Sequence, residues 1–256
     1  MQDFTDRTGG ALVVGGSGGL GSAVATLLAA RGSDVALTFN RNEDAAKQVV
    51  EEITGAGATG DCWQLDLTDA ARAALVVEEV SVRFGGLHTL VYAAGPHVPM
   101  VHLSRVSPQD FEEQLRQDAA AFFNVVHPAL PELRATGGSI VAITTAGTRR
   151  YPVRDGLSVG PKGAVEATAR ALAAEEGRYG VRVNCVGPGL LTDGMAARLI
   201  TGGDLDERAL EVARNNIALR RFGRAADVAE AVCFLASERA GFISGQNLDV
   251  DGGYGV

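Results

Sequence analysis

One stretch near the amino terminus restricts the fold more than any other. The run "ALVVGG" (11–16) is apolar and ends in glycine, and "LGSAVATLLAARG" (20–32) follows at once with apolar residues at helical spacing and a glycine stop. A strand, a glycine turn and a helix in immediate succession open a crossover unit, because parallel neighbours cannot be joined by a tight hairpin. The alternation then continues. The runs "DVALTF" (34–39), "CWQLDL" (62–67), "HTLVYAAG" (88–95), "GSIVAIT" (138–144), "VRVNCVG" (181–187) and "NLDVDGG" (247–253) read as further strands, each separated from the last by a helix-length segment. Seven strands alternating with helices predict an α/β fold: a doubly wound, seven-stranded parallel sheet with helices on both faces. With no linker-like stretch in 256 residues, the chain reads as a single domain over 1–256.

Between these strands, "SPQDFEEQL" (107–115) is a clear helix start, with Ser107 as cap, Pro108 in the first turn and acids at the positive end; its helix is expected to run towards Glu132. Residues 192–222 are charged and interrupted by Gly202 and Gly203. They read either as a helical substrate lid or as an ordinary surface excursion.

The net charge of −8 comes without a clustered basic face, which argues against nucleic acid or an anionic membrane as partner and favours a small-molecule substrate. Cys62, Cys185 and Cys233 are far apart and odd in number, as free thiols in a reducing cytoplasm would be. The four histidines show no metal-ligand spacing. No signal pattern opens the chain and no apolar run reaches the length of a membrane span, so the expectation is a cytoplasmic protein with no metal.

"VGGSGGLG" (14–21) sits between its strand and its helix, where backbone N–H groups can approach a pyrophosphate. That makes Gly15, Ser17, Gly18, Gly19 and Leu20 candidates for holding a dinucleotide. At the end of the second strand, where an acid would hold the ribose hydroxyls of NAD, the chain has Asn40 and Arg41. A guanidinium there would pair with a 2′-phosphate and favours NADP(H) over NAD(H), with a solvated turn arginine as the alternative.

Together these motifs resemble the short-chain dehydrogenase/reductase family from about Gly10 to the end, which implies a Rossmann fold. Val14 stands in the threonine position of the family's Thr-Gly-x-x-x-Gly-x-Gly. Asp66 with Leu67 resembles the adenine-holding pair, and "YAAG", with Ala93, Ala94 and Gly95, stands where Asn-Asn-Ala-Gly is usual. "VRVNCVGPG" is similar to the stretch whose Pro188 and Gly189, with Leu191 just beyond, would line the nicotinamide.

The resemblance implies an Asn-Ser-Tyr-Lys catalytic group. Lys162 keeps the lysine, with the family roles of holding the nicotinamide ribose and lowering the tyrosine's pKa. The tyrosine position falls on Ser158, the serine position on Thr145 and the asparagine position on Asp118. Thr145 still carries a hydroxyl donor, whereas Ser158 is a shorter and far weaker acid than a phenol. For Asp118 two readings stay open: a carboxyl that delivers a proton through bound water, or a group that only pairs with Lys162 or caps a local backbone group.

The peroxisomal type of 2,4-dienoyl-CoA reductase is similar in lacking the tyrosine and in its "D-x-x-x-x-F-N-V" stretch (Asp118–Val125). The mitochondrial type resembles the chain in its Ser-x-x-x-Lys, but its tyrosine position falls on Gly147. Tyr151, on the loop into the catalytic helix, could reach the pocket or stay at the surface. Tyr92 reads as filling space, and His97 as a residue facing substrate.

The expected function is an NADP(H)-dependent oxidoreductase that reduces an activated C=C or a carbonyl of an acyl thioester with a non-standard proton donor. The alternatives are an inactive cofactor-binding homologue or a non-redox lyase or cyclase on the same scaffold. The helices around 107–132 and 158–178 resemble those that pair in family tetramers, which implies a homo-oligomer, tetramer or dimer.

Overall fold

The computed structural model describes residues 2–96, 98–192 and 207–256. Among them, seven strands form one sheet in which every pairing is parallel: β1 (Gly10–Val14), β2 (Val35–Phe39), β3 (Gly60–Gln64), β4 (Leu87–Tyr92), β5 (Ser139–Ile143), β6 (Arg182–Pro188) and β7 (Asn247–Val250). The order is β3-β2-β1-β4-β5-β6-β7. The chain therefore moves outward on one side of β1, then crosses back to build the other side from β4. The crevice at the carboxyl ends of β1 and β4 is the topological switch point, where ligands bind in such sheets.

β1, β2, β4 and β5 are buried at every position, which is why they read as continuous apolar runs. Alternation in β1 divides the core. Ala11 and Val13 face α1 (Gly19–Ala30) and α2 (Glu43–Gly55), whereas Leu12 and Val14 face α3 (Ala70–Phe84) and the helices that follow it.

On that second face the segment from Ser107 is not one continuous helix. α4 (Pro108–Leu115) starts as expected, with the Ser107 hydroxyl accepting from the Asp110 N–H, but a π-helical turn at Arg116–Ala120 separates it from α5 (Ala121–Thr136). The extra residue of a π turn rotates the positions around it, and here it buries Asp118. α6 (Gly156–Glu176) packs beside α5 and carries Pro161 within its first turns. α7 (Glu207–Asn215) and α8 (Ala225–Ala236) complete the described helices. Of the expected lid at 192–222, residues 193–206 lie outside the described residues, and the described remainder carries α7. No helix among the described residues is long and apolar enough to cross a membrane.

Candidate active site

The glycine turn at the end of β1 is shaped for a close approach. Gly15 takes a left-handed φ of 78°, and its N–H donates to the Thr38 hydroxyl at 3.1 Å. That hydroxyl, on β2, pins the turn to the neighbouring strand, a contact that no local sequence pattern announced. Gly21 is the tightest point, since a Cβ there would stand 2.2 Å from the Gly15 carbonyl oxygen. Gly18 caps α1 without any side-chain hydrogen bond, and Gly18 and Gly19 are exposed. The N–H groups of the first turn thus face out uncapped beside the switch point, as a phosphate-binding helix end requires. These residues fit a dinucleotide, with Ser17 and Leu20 half-buried along the turn.

The flanking loops form the rest of the crevice wall. Asn40 and Arg41 are exposed at the end of β2, and the Asn40 carbonyl accepts from Gln64 Nε2 at 2.9 Å. The Thr68 N–H and hydroxyl both donate to Asp66 Oδ1, at 2.9 and 2.8 Å, and hold that carboxyl below its ordinary range, with smaller contributions from the Arg116 charge and then that of Arg41. The Leu67 carbonyl accepts from Asn124 Nδ2 of α5 at 2.9 Å. Across the crevice, the Gly189 N–H donates to the Val250 carbonyl at 3.0 Å, Pro188 is buried, and buried Leu191 bridges to Gly223.

Lys162 stands where the two halves meet. Its Nζ donates to Asp118 Oδ1 at 2.9 Å and to the Ala94 carbonyl at 3.2 Å. It also lies 5.6 Å from the centroid of the Tyr92 ring, and a Cβ at Gly95 would sit 3.4 Å from it. Asp118 therefore takes the ion-pair position. Its side chain is 2% exposed, and the π turn is what turns it inward towards α6. The preceding strand stays in register through the Ala93 N–H, which donates to the Val14 carbonyl.

Tyr92 is fully buried, edge-on to Phe122, and its hydroxyl donates to the Asp118 backbone carbonyl at 3.2 Å. Burial first and the Asp118 charge second push that phenol well above its ordinary value. Thr145, just beyond β5, accepts from the Gly147 N–H at 3.1 Å and caps the short turn that follows. Ser158 lies half-buried one helical turn before Lys162. Tyr151 is 70% exposed on the loop before α6. Gly147 has no room for the tyrosine of the mitochondrial dienoyl-reductase pattern, because a Cβ there would stand 2.8 Å from Val159 Cγ2. His97 lies outside the described residues.

A family model described as Enoyl-(Acyl carrier protein) reductase matches residues 14–255, nearly the whole arrangement just described. The chain belongs to the short-chain dehydrogenase/reductase family. Among curated members it is 33% identical over 254 residues to the 3-oxoacyl-[acyl-carrier-protein] reductase FabG of Staphylococcus aureus, covering 96% of this chain and 98% of that one. It is 32% identical over 249 residues to versicolorin reductase stcU of Emericella nidulans, covering 95% and 94%. Among solved members, a short chain dehydrogenase from Burkholderia cenocepacia in complex with NADP superposes with a TM-score of 0.88 at 30% identity, covering 98% and 100%. As a short-chain dehydrogenase/reductase, the chain is of an oxidoreductase type whose relatives act on small molecules.

Proposed function

We propose that the protein is an NADP(H)-dependent reductase acting on the carbonyl or the activated C=C of an acyl thioester. The observation that carries this reading is Lys162: its ammonium is held by Asp118 and the Ala94 carbonyl, at the switch point that the uncapped start of α1 also faces. That places a fixed cation beside the cofactor crevice, where a reacting nicotinamide must be held. When bound, the dinucleotide supplies hydride. Gly15 to Leu20 would hold its pyrophosphate, Asp66 and Leu67 its adenine, and Arg41 its 2′-phosphate. Pro188, Gly189 and Leu191 would line the nicotinamide side, and Lys162 would hold the nicotinamide ribose. Thr145 would donate its hydroxyl proton in a hydrogen bond to the oxygen on which charge develops. Asp118 keeps the Lys162 ammonium in place by the ion pair, and so acts on substrate only through it.

The relatives that reduce 3-oxoacyl chains on acyl carrier protein favour an acyl thioester over an unactivated ketone. We also read the chain as a homo-oligomer built through α4, α5 and α6, which sedimentation of the purified protein tests. One observation favours a second reading, a cofactor-binding homologue without turnover: Ser158 stands at the tyrosine position. A single experiment separates the two. NADPH binding and NADPH consumption are measured in parallel against 3-oxoacyl, 2-enoyl and 2,4-dienoyl thioesters. Turnover with one class supports the reductase, and tight binding with no turnover in any class overturns it.

A further inference from the structure

Reduction of a carbonyl needs a proton at the substrate oxygen as well as a hydride at carbon, and Ser158 cannot supply it as a phenol would. Asp118 is committed to Lys162, and Tyr92 is sealed behind Asp118 with its hydroxyl already donating to a backbone carbonyl. Tyr151 points into solvent. The face of α6 that carries Lys162 offers one more group. Residues spaced by three and seven along a helix share a face, so Asp155, Ser158 and Lys162 form one stripe. All three are half-buried.

Asp155 occupies the N-cap position of α6, where an aspartate ordinarily accepts from the backbone of the first turn. Here its backbone carbonyl accepts from the Ser158 and Val159 N–H groups at 3.0 and 2.9 Å, but its carboxyl caps nothing. Among the described residues that carboxyl has neither a hydrogen bond nor an ion pair. The charged groups on the surrounding elements are engaged elsewhere. The Arg154 guanidinium donates to the Met100 carbonyl at 3.1 and 2.8 Å, Arg149 pairs with Asp249, and Arg150 donates to the Tyr254 carbonyl. Lys162, on the same helix, is held by Asp118, while His102 on the facing loop is exposed. On α4, which packs against α6, Asp110 accepts from Ser107 and Glu113 pairs with Arg116.

The backbone around Asp155 is fixed at some cost. Arg154 is held at a left-handed φ of 77°, which a non-glycine residue rarely adopts, and its carbonyl accepts from the Val101 N–H at 2.9 Å. Leu103 packs so closely on Gly156 that a Cβ there would stand 2.6 Å from it. The loop before α6 is thus locked to the 100–103 segment, and the outcome of that locking is an ordered carboxyl with no structural partner.

We propose that Asp155 is the proton-exchanging residue of this active site, acting on the substrate oxygen directly or through the Ser158 hydroxyl. The inference rests on the reductase reading above. As hydride from the bound dinucleotide reaches the carbonyl carbon, the new O–H bond on substrate forms while the O–H bond of the Asp155 carboxylic acid breaks. Where Ser158 intervenes, its oxygen takes the Asp155 proton as it gives up its own. The carboxylate then regains a proton from water. Burial alone pushes the Asp155 carboxyl up to about 6, near enough to neutral for both forms to be populated in turnover.

The test begins without substrate. In protein carrying 13C-labelled aspartate carboxyl groups, the resonance missing from Asp155→Asn should titrate in the wild type with a midpoint near 6. With a 3-oxoacyl thioester that the wild type reduces, kcat should fall as pH rises through that midpoint. Asp155→Asn should lose roughly 100-fold in kcat together with this pH limb, while its NADPH affinity, read by fluorescence, stays unchanged. Asp155→Glu should keep a pH limb. A midpoint near that of an ordinary aspartate, or an Asp155→Asn enzyme with the wild-type pH profile, overturns the role of Asp155 and leaves the reductase standing. A wild type that binds NADPH but reduces no thioester overturns both.

Discussion

Lys162 Nζ and Asp118 Oδ1 meet at 2.9 Å with both side chains largely withdrawn from solvent, 12% and 2% exposed. Burying two charges is favourable only while each has the other, so removing one is costlier than exchanging it. Asp118→Ala strands the ammonium with the Ala94 carbonyl alone and should destabilise the fold by about 3 kcal/mol in urea denaturation. Asp118→Asn, which keeps the shape and an acceptor oxygen, should cost less than half as much. Equal losses in the two variants would mean that the stability rests on the carboxylate charge alone, with nothing from packing or from a neutral acceptor oxygen.

Gly21 makes a second, independent claim on the cofactor site. A Cβ there would stand 2.2 Å from the Gly15 oxygen and 2.9 Å from Gly15 C and Gly16 Cα, all backbone atoms that cannot swing aside. Gly21→Ala must therefore shift α1 away from the glycine turn, at about 1–3 kcal/mol of stability. NADPH affinity should fall at least about tenfold, because the α1 amides move with the turn. Gly55, in the last turn of α2, has nothing within 4 Å of an added Cβ. Gly55→Ala should leave both stability and NADPH binding unharmed, and it controls for a generic effect of glycine replacement.

How much of this was legible beforehand follows from burial. β1, β2, β4 and β5 lie in the middle of the sheet, buried throughout, and their apolar runs located them to within a few residues. β3 lies at the sheet edge with half-exposed side chains, so its apolar pattern was diluted; it spans Gly60–Gln64, against an expected 62–67. The pairing of Asp118 with Lys162 was one reading of the sequence, and the π turn that buries Asp118 for it has no local signature. Thr38 was invisible because its hydroxyl meets Gly15 only once β1 and β2 pair. Asp155 was not legible as a site residue, because an aspartate before a helix ordinarily caps it and only the folded chain shows that this carboxyl caps nothing.

The proposed NADP(H) preference rests on Arg41. It is exposed at the end of β2, and its charge reaches Asp66 across the crevice mouth. If the guanidinium pairs with a 2′-phosphate, Arg41→Ala should weaken NADPH by about tenfold, the value of one charge-assisted contact, and leave NADH unchanged. Fluorescence titration with each dinucleotide reads the ratio. A ratio equal to that of the wild type would assign Arg41 to solvent.

His88 makes the fold sensitive to acid. The ring is buried on β4, stacked on Phe4 at 5.7 Å, with Nε2 at 3.2 Å from the Ser33 hydroxyl and Nδ1 at 2.9 Å from the Thr89 hydroxyl. Burial first, and the Arg7 charge second, lower its pKa from 6.5 to about 4. Between these values the unfolded chain holds a proton that the folded chain does not, so this contribution to stability is present above pH 6.5 and is lost as pH falls through about 4. At full protonation the loss amounts to about 3 kcal/mol. Asp155, raised to about 6, acts in the opposite sense: it favours the fold at low pH and loses that advantage as pH rises through about 6. The two groups thus oppose each other across the same window, and the wild-type profile alone cannot separate them. His88→Gln keeps hydrogen-bonding atoms but does not titrate. Its urea stability relative to wild type should improve by about 2 kcal/mol or more on going from neutral pH to about pH 4. A difference that stays constant over that range would show that folding does not lower the His88 pKa.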